Sequence, residues 1–162
     1  MEQKILIFKL IITFLLIFFS FASFAENIIK GKAKIIDGDT IHIGKYKIRL
    51  HGIDAPEIKQ TCTINKIIWE CGFESSQALE SIISEEVRCE IVDIDRYKRF
   101  VAKCFINKIN LNQYIVQNGW AVAYRYYSDD FIYDEEIAKK NKVGIWQGEF
   151  QEPYLFRKQQ KD

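Results

Sequence analysis

The stretch from Ile36 to Glu57 constrains this chain more than any other. Asp37-Gly38 supplies turn chemistry, Thr40 to Ile43 is rich in β-formers, and Gly44-Lys45 marks a second turn. Tyr46, Ile48 and Leu50 then alternate with Lys47, Arg49 and His51, the period of a half-buried strand. On that pattern Arg49 points away from the core-facing side chains. Gly52 permits a bulge or a close backbone approach. Pro56 ends the run and pushes Ala55 to an extended conformation. Strands paired in this way fold the two acidic ends of the stretch, Asp37 with Asp39 and Asp54 with Glu57, toward one point.

The amino terminus does not belong to that fold. Residues 1–25 read as a signal peptide: Lys4 in a short charged start, an apolar run from Ile5 to Phe21 broken by Lys9 and Thr13, and small Ser23 and Ala25 before a cut at Glu26. An uncleaved anchor is the competing reading, but the apolar run after Lys9 is short for a membrane span. Cleavage implies a secreted or periplasmic protein with no stable membrane association. It removes Lys4, Lys9 and Glu2 and takes the formal charge from +1 to zero. Neutrality argues against broad, charge-driven nucleic-acid binding, so any such function must rest on a local basic site.

The remainder is long enough for one domain with a core. Its four cysteines, Cys62, Cys71, Cys89 and Cys104, fit disulfides in an exported chain. Zinc is disfavoured, because no Cys-x-x-Cys pair occurs and His42 and His51 fit no ligand spacing. Cys89 and Cys104 lie equally far from the centre of a hairpin, so they pair across its strands, leaving Cys62 with Cys71. Lys30 to Ile36 reads as a first strand, and residues 58–72 as a stapled loop. Helices are expected over Phe73 to Ser84, Asn110 to Asn118 and Tyr133 to Lys142, the last stopped near Gly144. Val87 to Asp95 and Arg99 to Ile106 are strands joined by an Asp95-Arg96-Tyr97-Lys98 turn. Residues 148–162 read as a polar tail lying over the surface. Short strands with helices inserted and appended suggest an α+β fold, a small β-barrel with helices packed on it.

Three blocks, Asp37-Gly38-Asp39-Thr40, then Arg49-Leu50-x-x-Ile53-Asp54-Ala55-Pro56-Glu57, then Asp95-Arg96-Tyr97-Lys98-Arg99, resemble the thermonuclease (staphylococcal nuclease) family in order and spacing. The resemblance spans about residues 30 to 147, within a domain drawn at 26–147. It implies an OB-fold, five-stranded barrel with three packed helices, and Ca²⁺-dependent phosphodiester hydrolysis by a monomer acting on DNA or RNA. By position it makes Asp39 and Asp54 the metal ligands. Arg49 and Arg99 hold the phosphate, and Glu57 acts on the attacking water. Tyr97, Tyr124 and Tyr126 face the substrate, and Asp37 and Thr40 support the ligands. The chain departs from the family at Ala55, where the best-known member has threonine, and at Lys98, where glycine is usual.

These residue types suit that chemistry. A hard cation on carboxylate oxygens offsets the charge of a phosphodiester, and composition leaves Mg²⁺ or Mn²⁺ open beside Ca²⁺. Arginines donate paired hydrogen bonds to phosphoryl oxygens. Taken singly, each residue has a blander reading: Asp37 and Asp39 as turn residues, Arg49 and Arg99 as solvated cations, the aromatics from Trp120 to Tyr127 as core. Two other functions compete: a non-catalytic OB-fold module that binds nucleic acid by stacking, and a structural domain of the cell envelope.

Overall fold

The computed structural model describes residues 27–160, so the signal peptide expected over residues 1–25 lies outside the described residues. The expected first strand is two pieces, β1 (Ile28–Gly31) and β2 (Ala33–Ile35), parted at Lys32. β3 (Thr40–Ile43), β4 (Tyr46–Leu50), β8 (Val87–Ile94) and β9 (Phe100–Ile106) join them in the main sheet, in the order β1-β8-β9-β4-β3-β2, and the short β10 (Ile109–Asn110) pairs with β9 beside that path. Because β1 and β2 are halves of one bent strand sitting at opposite ends of that order, the sheet curls round on itself. The result is the five-stranded barrel expected of an OB-type fold. β4 and β9 pair parallel; the other neighbours are antiparallel.

The alternation read from the sequence sets the barrel's inside. Ile41, Ile48, Leu50 and Ala102 are fully buried, while Lys47 of β4 faces out; Tyr46, expected on the core side, is exposed at the start of the strand, where its ring meets Phe100 edge-on. Cys89 and Cys104 stand directly opposite in the β8–β9 register and are bridged, as are Cys62 and Cys71.

Helix α1 (Cys71–Ile82) starts two residues before the expected Phe73. Cys71 is held there by its disulfide, and Gln60 accepts a hydrogen bond from the Gly72 N–H. Helix α2 (Leu111–Gln117) is capped by Asn110, whose side chain accepts from the Gln113 N–H. Its Asn112 is fully buried, donates to the His51 and Ala102 carbonyls and accepts from the Cys104 N–H, pinning the helix to the barrel. Helix α3 (Ile132–Asn141) is closed by Lys142 in the left-handed conformation, not by Gly144.

Two expectations are corrected. Residues 58–72 are not a structureless loop: β6 (Cys62–Ile64) and β7 (Ile67–Trp69) form a hairpin whose turn residues, Asn65 and Lys66, both have positive φ. Nor is the carboxy-terminal segment a loose tail. Pro153 to Gln159 form a fourth helix, α4, with Pro153 in its first turn, where a missing N–H costs nothing. Three expected helices thus become four among the described residues.

Candidate active site

Two corners of the barrel build the site. The first is the turn entering β3. Asp37 accepts a hydrogen bond from the Asp39 N–H (3.0 Å), and the Thr40 hydroxyl donates to Asp39 Oδ1 (3.0 Å). Gly38 is required here, since a Cβ at that position would fall 2.0 Å from Ser75 Oγ and 2.7 Å from Ala55 Cβ. The second corner follows β4, where the chain turns at Gly52 into β5 (Ile53–Asp54), which pairs with β11 (Val122–Ala123). The corners are stitched together: the Asp39 carbonyl accepts from the Leu50 N–H (2.8 Å), and Asp39 Oδ2 accepts from the Ala55 N–H (3.0 Å).

Arg49 spans the junction. Its Nη1 donates to Asp39 Oδ1 at 2.8 Å and its Nη2 to Asp54 Oδ1 at 2.7 Å. Asp39, Arg49 and Asp54, separated by up to fifteen positions in sequence, therefore meet at one guanidinium. Burial alone lowers the Arg49 pKa, but Asp39 and Asp54 outweigh it and hold the side chain firmly charged. Asp54 is fully buried. Burial pushes its carboxyl up, against hydrogen bonds and charge from two arginines. We take it as ionised, because three charge-assisted bonds converge on its two oxygens. Burial, and then the nearby Asp39 and Glu57, push Asp37 up to about 7. Carboxylates crowd this corner beyond what the guanidiniums offset.

Sequence reasoning missed the second of those guanidiniums. Arg157 of α4 donates from Nη1 to Asp54 Oδ1 (2.8 Å) and Glu57 Oε1 (2.9 Å), and from Nη2 to Asp54 Oδ2 (2.9 Å). Its one advance signal was Pro153, a helix-start residue five positions after Gly148.

Above the carboxylates opens a cleft of about 1000 Å³. Arg49, Asp37, Glu57 and Arg157 line one part of it; Arg96, Tyr97 and Arg99 line another, from the β8–β9 turn. Arg99 thus shares the cleft with Arg49 but is tied to Asp95, whose Oδ2 accepts from its Nε at 2.7 Å. Asp95 Oδ1 accepts from the Tyr97 and Arg99 N–H groups, which fastens the turn although Lys98, at φ 61°, takes a conformation that favours glycine. The Tyr97 ring lies under the Arg96 guanidinium at 4.8 Å. Tyr124 and Tyr127 line the cleft, whereas Tyr126, 81% exposed, stands outside its lining and packs on both.

The donor set fits a hard divalent cation. It is all oxygen, mainly carboxylate, and short of positive charge at Asp37. Among the described residues, no three acidic, histidine or cysteine side chains form a ready-made metal cage, and both Asp54 oxygens are turned to Arg157.

Residues 47–148 match the model of the family described as "Staphylococcal nuclease homologue". The chain belongs to the staphylococcal nuclease family. The matched range holds Arg49, Asp54, Glu57 and Arg99; it starts after Asp39 and ends before Arg157. Relatives include an "Uncharacterized endonuclease" of Haemophilus influenzae, 33% identical over 94% of this chain and 87% of that protein. The "Micrococcal nuclease" of Shigella flexneri is 30% identical over 80% of each chain. A "Succinoglycan biosynthesis protein ExoI" of Rhizobium meliloti is 38% identical over 79% of this chain and 69% of its own. Family members thus carry names from more than one process, and the site must speak for this one.

Proposed function

We propose that the protein is an exported, divalent-metal-dependent nuclease that hydrolyses phosphodiester bonds in DNA or RNA. The class, a nuclease, follows from the family. The observation that carries the rest is the meeting of Asp39 and Asp54 on Arg49, with Glu57 in the same cleft.

Asp39 and Asp54 would hold the cation, Ca²⁺ in this reading, which would neutralise charge on the phosphate oxygens. Arg49 lines the cleft and is held in place by its two carboxylates, so the N–H groups it does not give them are positioned to donate to the phosphoryl group. Arg99, oriented by Asp95, donates from the β8–β9 turn. Glu57 takes the proton of the attacking water or orients that water. Tyr97, Tyr124 and Tyr127 offer ring faces to bases, which suits sequence-tolerant binding of a single strand. Export is supported by the two disulfides, which persist in oxidising compartments.

The test is cleavage of single-stranded DNA and of RNA by the purified protein with Ca²⁺, with and without chelator. Metal-dependent turnover is expected, lost in Glu57→Gln. Equal cleavage in chelator, or full activity of Glu57→Gln, sinks this mechanism.

A further inference from the structure

Arg157 is a cation at the acidic corner that the mechanism does not use. It occupies both oxygens of Asp54 and one of Glu57. A divalent cation seeks those same lone pairs, and with Arg49 already on Asp54 Oδ1, a doubly charged ion added beside both guanidiniums would meet strong repulsion. While Arg157 is seated, Asp54 is closed to a metal and Glu57 is partly engaged.

The seat is built by the fold and does not depend on one side chain. Glu149 and Thr63 of β6 exchange two backbone hydrogen bonds of 2.8 Å. Buried Gln60 donates to the Gln151 carbonyl (2.6 Å), and its other end accepts from the Glu57 N–H (3.2 Å). The Cys62–Cys71 bridge closes the hairpin that carries this strut. Pro153 is buried where the helix begins. One set of contacts thus fixes both the Glu57 loop and the entry to α4.

We propose that α4 is a latch: Arg157 stands in for the divalent cation at Asp54 and Glu57, and cation binding displaces it. The inference rests on the metal-dependent reading above. Cation affinity is then reduced by the fraction of molecules with the latch open, about tenfold if it is closed nine-tenths of the time.

The experiment is calorimetric titration of Ca²⁺ into the purified protein and into Arg157→Ala, with Arg157→Gln as a second variant that removes the charge but keeps a polar side chain. Hydrogen exchange of residues 153–159 is followed in the unaltered protein, with and without Ca²⁺. Both variants are expected to bind Ca²⁺ about tenfold more tightly, and Ca²⁺ to speed exchange in α4. Equal or weaker binding by the variants overturns the latch and leaves the metal site standing, since weaker binding would make Arg157 an organiser of the ligands. Exchange in α4 that Ca²⁺ leaves unchanged also overturns it. No Ca²⁺ binding by any of the three proteins overturns the metal-site reading and the latch with it.

Discussion

Arg49 reaches Asp39 and Asp54 through different nitrogens, a task the single ammonium of lysine cannot perform in the same geometry. Arg49→Lys is therefore expected to lower kcat by about a hundredfold to a thousandfold. The protein should remain folded, as read by circular dichroism, because one charge still faces the two carboxylates. Full activity would show that the forked geometry does not matter. Glu135 makes a different case, of charge used for stability. It is buried and accepts from the Ala123 N–H (3.0 Å), from Arg125 (2.6 Å) and from Lys139 (2.6 Å). Burial raises its pKa, but those donors together hold it below the ordinary 4.5. A depressed carboxyl contributes stability that is present above its unfolded pKa and lost as pH falls through its folded one. Glu135→Gln should cost about 1–2 kcal/mol at pH 7, modest because both cations are about half exposed and screened. It should also flatten the loss of stability as the pH falls below the ordinary 4.5, read from urea unfolding at a series of pH values. An unchanged pH profile would remove Glu135 from that account.

At the scale of elements, the hairpin β6–β7, helix α1 and helix α4 act together on the Glu57 loop. A Cβ at Gly72 would lie 1.7 Å from the Glu57 carbonyl oxygen, so the first turn of α1 and that loop are in backbone contact. Gly72→Ala must push the loop away. The expected cost is about 1–3 kcal/mol in chemical denaturation, with a fall in kcat as Glu57 moves. A variant as stable and active as the parent would mean that the loop yields freely. Removing the Cys62–Cys71 bridge with paired serines should cost about 2–3 kcal/mol by the loop-entropy argument. Because the same hairpin anchors Glu149, the paired variant should also bind Ca²⁺ more tightly, as expected of Arg157→Ala. If its affinity is that of the parent, the hairpin does not seat α4.

At the scale of the whole molecule, a chain with a formal charge of +1 must gather its nucleic-acid affinity in one place. The cations that line the cleft are Arg49, Arg96, Arg99, Arg157 and Lys158, and Asp37, Glu57, Asp93 and Asp95 stand among them. The slope of log K against log salt for single-stranded DNA should then be no steeper than about −3.5, since each neutralised phosphate contributes about −0.7. A steeper slope, measured by fluorescence anisotropy, would point to basic contacts outside the cleft. In the proposed reading Tyr97, Tyr124 and Tyr127 would carry the balance through stacking, which salt screens little.

Much of the architecture is local chemistry, and local chemistry is written in order along the chain. The alternation from Lys47 to Leu50 determines which face of β4 is buried, and the Asp37-Gly38 turn and Pro56 determine where the acidic corners fall. Equal spacing about a hairpin centre was enough to pair Cys89 with Cys104. The Asn65-Lys66 turn escaped notice because neither residue is the glycine that usually marks positive φ. Arg157 escaped for a deeper reason. It lies 103 positions from Asp54, and the helix that carries it has no strong apolar stripe of its own. Its place is decided by Thr63, Gln60 and the Cys62–Cys71 bridge, contacts made only when distant segments pack. Sequence alone determined that the two acidic corners converge with Arg49 between them; only the tertiary structure decided that Arg157 would also reach Asp54 and Glu57.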